Sequence, residues 1–384
     1  MRALSFSAQA ALFWCLLLLL PGCVDPYMPE AISSTKSYLV VDGFINSSGV
    51  TTVNLSRTSD ISAAGLPPTE SAATVYIEEE AGTRYTLRES PVKGTYTSVT
   101  SLTLDAAKKY RLHILTAARK EYVSDYVPVK ITPPIDAITW QPTEAGLTFY
   151  VSSHDDTNAT QYYRWEYEQT WEIRPLVFPD LESVNNVVRP ITVPYPLACW
   201  ISGKSTGIKQ SRTTSLERDV ISNYPLHSLT NTTDQLYYKY SLLVKQHAQT
   251  KEEYEYWELL KKTTENIGTL FDPLPAEVTG NVHCLSDDTE IALGYIGAHS
   301  LQEKRIFVSR VNVPTAWRLQ TGYEGCIPLD TIKVENVRNF FNDNIVPVGE
   351  ALSDTGGLIG YTYSTPNCVD CRRRGTAVRP SFWQ

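Results

Sequence analysis

Tyr110-Arg111-Leu112-His113-Ile114-Leu115 sets apolar side chains at alternate positions, Tyr110, Leu112 and Ile114, against Arg111 and His113. Successive side chains of an extended chain point to opposite faces, so the stretch predicts a β-strand packed on one face and wet on the other, with His113 on the wet side. Working outward, Tyr38-Leu39-Val40-Val41-Asp42-Gly43-Phe44 reads as a buried strand ahead of the turn Asn46-Ser47-Ser48-Gly49. Further short strands are expected over 51–56, 74–79, 84–89, 94–99 and 122–129, with no helical period among them. Together they predict a β-sandwich of immunoglobulin-like or prealbumin-like type over 37–133, closed by Pro133-Pro134.

A second β region starts at Ile135. Strands are expected over 146–151, 162–171 and 236–246; in the second of these Tyr163, Trp165 and Tyr167 oppose Arg164, Glu166 and Glu168. Between them 175–196 is proline-rich and aperiodic, and reads as a long surface excursion. Thr250-Lys251-Glu252-Glu253 has the form of a capping box, and Tyr256, Trp257, Leu260, Thr264 and Ile267 follow at helical spacing up to Gly268. A helix near 251–267 is therefore expected to pack on the second domain, the competing reading being that Tyr256 and Trp257 form a docking face. Strand pattern returns over 280–285, 291–296 and 305–310. The fold class is mainly β: two β-sandwich, immunoglobulin-like domains, 37–133 and 134–384, with a helical insertion in the second and a Cys-rich C-terminal tail.

Composition agrees. Tyr occurs 23 times against 2 Met, a β-protein usage. A net charge of -8 and a pI near 5.4 argue against nucleic acid as a partner. At the N-terminus, Arg2, an apolar run over 10–20 and Leu16-Leu17-Leu18-Leu19-Leu20-Pro21-Gly22-Cys23 form a secretory signal ending in a lipobox. Residues 1–22 are then the signal peptide, Cys23 is the lipidation site, and 23–36 is a tether that holds the chain to a membrane outside the cytoplasm.

Five cysteines remain: Cys199, Cys284, Cys326, Cys368 and Cys371. An odd number allows at most two bridges. Cys368-Val369-Asp370-Cys371 has the spacing of a zinc half-site or a redox dithiol, but no second half-site and no βαβ pattern accompany it, so a structural disulfide clamp is expected. The bridge candidates are Cys284, Cys326, Cys368 and Cys371, with their connectivity and the role of Cys199 open. Gly203-Lys204-Ser205-Thr206-Gly207 spells both a P-loop ending and a nucleophile elbow; lacking the strand-turn-helix context, 198–205 reads as a polar loop. His154-Asp155-Asp156 and Asp287-Asp288-Thr289-Glu290 lack calcium-loop spacing and read as solvated loops. No catalytic residue, metal ligand or cofactor is assigned, and the chain is not expected to be an enzyme. Trp165, Trp171 and Trp200 are the candidate platforms should it bind a glycan or peptide; a hydrolase would need two carboxylates or a Ser-His pair facing one cleft.

Cys368-Val369-Asp370-Cys371-Arg372-Arg373-Arg374-Gly375-Thr376 and Arg379-Pro380-Ser381-Phe382-Trp383 resemble the C-terminal signature of the Bacteroidota lipoproteins classed as domain of unknown function 4249. The lipobox, Tyr38-Leu39-Val40-Val41-Asp42-Gly43, and Gly280-Asn281-Val282-His283-Cys284 before Leu293-Gly294-Tyr295 are similar to the same family. The resemblance implies an outer-membrane lipoprotein on the extracellular face, encoded beside a TonB-dependent transporter. It would act as a non-enzymatic accessory subunit of that transporter or of another outer-membrane β-barrel. No catalytic residues come with it.

Overall fold

A computed structural model of the chain describes residues 37–60, 65–265 and 278–384. Cys23, the tether, Ile267 and Gly268 lie outside them. Strand makes up 46% and helix 9%, so the mainly β expectation holds.

In chain order the first strands are β1 (Leu39–Asn46), β2 (Thr52–Arg57), β3 (Thr74–Glu79), β4 (Arg84–Glu89), β5 (Thr95–Ser98), β6 (Lys109–Leu115), β7 (Glu121–Ser124) and β8 (Val127–Lys130). Next come β9 (Ile135–Pro142), β10 (Gly146–Asp155), β11 (Tyr162–Ile173), β12 (Leu181–Val184), β13 (Val187–Pro190), β14 (Cys199–Lys204), β15 (Lys209–Arg212), β16 (Asp219–Thr230), β17 (Lys239–Ala248) and the helix α1 (Lys251–Thr264). The remainder holds β18 (Val282–Cys284), β19 (Ala292–Leu293), β20 (Ala298–His299), β21 (Leu301–Ser309), β22 (Asp330–Lys333), β23 (Val346–Leu352) and β24 (Leu358–Ser364).

Strands β6, β3, β4, β5, β2 and β1 pair antiparallel in that spatial order. The gap between β1 and β8 is filled by β20, which runs parallel to both, and β8 pairs back to β6. Eight strands thus return on themselves as a barrel-like ring, where a sandwich of 37–133 alone was expected. The closing strand comes from residues 298 and 299, and β18 and β19 also join this sheet, so the first core draws on chain from both sides of the expected 133/134 boundary. Tyr110, Leu112 and Ile114 are all but fully buried in it. His113 is not wet: Tyr76 of the neighbouring strand stacks on its ring at 4.3 Å, and Glu121 lies 2.6 Å from Nε2.

The late segment is sewn in by the residues read as a family motif. Asn281 is buried, and its side chain donates to Ile296 O at 3.0 Å and accepts from Ile296 N at 2.8 Å, acting as a substitute strand partner. Gly294 sits at φ +126°, and a Cβ there would lie 2.0 Å from Val41 O; one on Gly280 would lie 1.6 Å from Gly294 O. Neither position admits a side chain. Asn281→Ala orphans the Ile296 amide and carbonyl inside the core and lowers stability by about 2 kcal/mol, measured by urea unfolding against the parent.

The second body is two layers over one core. Sheet β16-β10-β9 contributes Leu147, Phe149 and Val151; sheet β14-β11-β17-β21, with β15 beside β11, contributes Tyr163, Trp165, Tyr240, Leu242 and Val244. The pattern reading missed β16 because Pro225 interrupts it, which an edge strand tolerates where the register shifts, here opposite Tyr150. It also took β14 for a polar loop: Gly203 and Lys204 lie in a strand paired with Gln169 and Glu168. On the outer face of β11 lies α1, and the Arg164 guanidinium sits 4.4 Å from the Trp257 ring centroid. Thr250 caps the helix, accepting from Glu253 N at 3.2 Å, but the Glu253 carboxylate turns into the interior, so only half of the expected capping box forms.

Beyond β21, strands β22-β24-β23 form a small sheet. The 175–196 excursion folds its β12–β13 ribbon against β23.

Candidate functional site

The tail builds the site. Disulfides join Cys199 to Cys371 and Cys326 to Cys368, and Cys284 is a free thiol buried in the first core. Cys284 is therefore corrected as a bridge candidate and Cys199 takes its place. Cys368 and Cys371 do not bridge to each other: each ties the tail to a different earlier segment, at Cys326 and Cys199. Cys371 packs with Ile173, Cys199 and Tyr323, and the Cys326 partner of Cys368 lies between that core and the one of Val177, Val348 and Val369, flanking both. After the bridge, Trp200 and Thr376 exchange both backbone hydrogen bonds at 2.9 Å. Gly375 passes so close that a Cβ would lie 2.5 Å from Trp200 O. Arg374 donates to Asp234 at 3.0 Å and to Gly322 O at 2.9 Å. Asp370 accepts from both Nε and Nη2 of Arg372, which holds its carboxyl below the usual range against its burial.

Thus held, the last residues lie across β21. Phe382 stacks on the Arg305 guanidinium at 3.5 Å, and the Trp383 ring meets Phe307 and Trp200 edge-on at 5.8 and 6.3 Å. Trp200, Trp383, Tyr237 and Tyr238 then bound a recess of about 710 Å³, with Glu172, Arg174, Lys239, Arg310 and Arg379 in its wall. That volume falls within the range of ligand clefts, about 300–1,000 Å³. Arg174 donates through Nε to Glu172 at 2.5 Å and lies over the Tyr238 ring at 4.7 Å. Lys239 Nζ donates to Gln384 O at 2.7 Å, and Arg379 Nη2 to Trp383 O at 2.9 Å. Arg310 spends its fork on the carbonyls of Pro314, Thr315 and Trp317. Such a wall offers flat apolar faces and charged donors, the equipment of binding.

Of the expected platforms, only Trp200 lines the recess. Trp165 is 1% exposed, stacked on Tyr224 at 4.6 Å and donating to Gln246, because its face of β11 is the core face. Trp171 packs between two cores with its indole N–H buried. Tyr256 and Trp257 are half-buried against Tyr295 and Arg164, along a groove that runs over Gly43 and Gly294. Sequence reasoning missed Tyr237, Tyr238, Arg174 and the inward course of Trp383; only the quoted tail motif hinted at the last. In the first acidic run, Asp155 accepts from the backbone of Thr157, Ala159 and Thr160, which holds its pKa at about 2 despite partial burial. In the second, Glu290 meets Arg57, Lys120 and Tyr122. Among the described residues no group of three His, Cys, Asp or Glu could hold a metal.

Where the two bodies meet, a second polar cluster is buried outright. His299 of β20 stacks on Phe44 at 4.3 Å and meets His247 of β17 edge-on at 5.0 Å, and its Nε2 lies 3.8 Å from Glu253 Oε1. Burial pushes the Glu253 carboxyl up to about 7, opposed by Arg164, Gln249 and Trp257. It pushes His299 down to about 3 and His247 well below its ordinary value, with Arg164 adding to both. Near pH 5 to 6 both partners of the His299–Glu253 contact are thus neutral, and it is no ion pair there.

Residues 24–305 match the family model described as Domain of unknown function (DUF4249). The chain belongs to the DUF4249 family. The DUF4249 match begins one residue after Cys23 and ends within β21, so the tail signature lies beyond it while Arg174, Trp200 and Tyr238 lie inside. No curated protein matches this DUF4249 chain. Among solved structures it is similar to a DUF4785 family protein from Legionella pneumophila, at 12% identity over 54% of this chain and 51% of that one, TM-score 0.17. It is also similar to the chitinase ChiA74 from Bacillus thuringiensis, at 12% identity over 50% of this chain and 28% of that one, TM-score 0.15. The chain therefore spans about half of the first protein and about a quarter of the second, and likenesses at these TM-scores carry no argument.

Proposed function

We propose that this DUF4249 protein is a Bacteroidota outer-membrane lipoprotein, held by lipid on Cys23 at the extracellular face. There it acts as a non-enzymatic accessory subunit of a β-barrel partner such as a TonB-dependent transporter. The observation that supports it is the lipobox immediately ahead of a family match that starts at residue 24, one residue after the Cys23 at which a processed chain would begin. Among the described residues no helix is long and apolar enough to cross a membrane. One acyl chain binds a bilayer only marginally, so further acylation or a protein partner has to complete the attachment. As scaffold we read the second body as an immunoglobulin-like β-sandwich. Cys23→Ala shifts the protein from the membrane to the soluble fraction on fractionation; an unchanged membrane share would sink the anchor. Mild-detergent purification of the tagged parent brings down a large barrel protein in near-equal amount, and recovery of the chain alone counts against the accessory role.

A second reading is favoured by the recess under Trp200: a surface module that binds a glycan or peptide. Its check is a shift in tryptophan fluorescence of the detergent-solubilised full chain on ligand addition.

A further inference from the structure

Trp200, Trp383, Tyr237 and Tyr238 face a space whose wall carries Arg174, Lys239, Arg310 and Arg379 against the single acidic side chain Glu172. The protein as a whole carries a net charge of -8, so the recess has the opposite sign to the chain that builds it. Arg310 is used up on carbonyls, but Arg174 is bonded through Nε alone, Arg379 through one Nη2 contact and Lys239 through one bond to Gln384. Each keeps charged donors for a further acceptor, in the planar forks that suit carboxylate or sulfate in the two arginines.

We propose that the recess binds an acidic saccharide, its sugar rings lying against Trp200 and Tyr237 over a floor made by the buried Trp383, and its carboxylate or sulfate groups meeting Arg174, Arg379 and Lys239. The proposal rests on the second functional reading and names the ligand class for it. A peptide that adds as a strand is disfavoured by the backbone, because the edge at Trp200 is already occupied by Thr376 through two 2.9 Å bonds; other peptides are left to the test. A neutral sugar would use the aromatic faces and leave the cations idle.

The test is calorimetric titration of the detergent-solubilised full chain with tetragalacturonate, a heparin tetrasaccharide, neutral galactotetraose and an oligoglutamate peptide. At least one acidic saccharide is expected to bind about tenfold or more tighter than galactotetraose, as charge-assisted pairing requires. Raising salt from about 50 to about 300 mM should weaken it several-fold through screening. Arg174→Gln with Arg379→Gln removes that preference without touching the disulfides, and Tyr237→Ala weakens acidic and neutral sugars alike. Equal binding of the neutral tetramer overturns the acidic class and leaves a binding module standing. Preference for the peptide overturns the saccharide class. If none of the four binds, the proposal and the binding reading fall together.

Discussion

Replacing both Cys199 and Cys371 by serine lowers stability by about 4 kcal/mol, the largest loss expected from any single covalent change in the chain. The bridge closes a loop of 172 residues, against 42 for Cys326–Cys368, and the chain entropy it removes from the unfolded ensemble grows with the logarithm of that length. Both sulfurs are fully buried beside Ile173 and Tyr323, so the change also unpacks a small core. With the bridge gone, the stretch from Arg372 to Trp383 is held by Thr376, Arg374 and ring contacts, between the Cys326–Cys368 bridge on one side and the Lys239–Gln384 bond on the other. Two readouts follow: an earlier urea midpoint, and protease cleavage within the tail under conditions that leave the rest intact. A double variant within 1 kcal/mol of the parent, its tail still protected, would mean that the disulfide merely decorates a tail already fixed by packing.

Glu253→Gln changes how stability depends on pH. Folded, the Glu253 carboxyl holds its proton up to about 7, whereas in the unfolded chain it releases it near 4.5. Between those values the folded state carries the extra proton, so this group makes the protein less stable as pH rises and its cost is complete above 7. The difference corresponds to about 3 kcal/mol. His299 and His247 act in the opposite sense: their folded pKa values lie below 6.5, so the unfolded chain takes up protons first and stability falls as pH drops below 6.5. Glutamine keeps the shape of the neutral carboxyl and cannot ionise. Relative to the parent, the variant therefore gains about 2.5 kcal/mol on going from pH 5 to pH 8, part of the cost being present already at pH 5, read by urea unfolding at both pH values. A difference that stays flat across that range would show that the carboxyl reaches water. Because Phe44 and His299 belong to the first body and His247, Arg164 and Glu253 to the second, the effect is one on the seam between them.

Much of this architecture was legible as pattern. Strands β3 and β4 fall at the bounds that alternation sets, 74–79 and 84–89, and α1 starts where Thr250 announces it. Period-2 alternation also ordered Tyr163 and Trp165 on one face of β11, and that apolar face is the interior one. Trp165, taken for a ligand platform, is consequently core; alternation does not tell whether the opposite face is open, and Arg164 on it is buried under α1. His113 fails for the same reason: one neighbour, Tyr76, and one carboxylate, Glu121, turn an outer position into a covered one.

The chain by itself determined its β character, the helix and its cap, and the odd cysteine count, because each depends on composition or on neighbours within a few residues. Tertiary structure alone decided which strand closes the ring, which cysteine stays free, and which aromatics line the recess. Those depend on contacts between residues more than a hundred positions apart, such as Asn46 with His299, Cys199 with Cys371 and Trp200 with Trp383, and no local period encodes a partner at that distance.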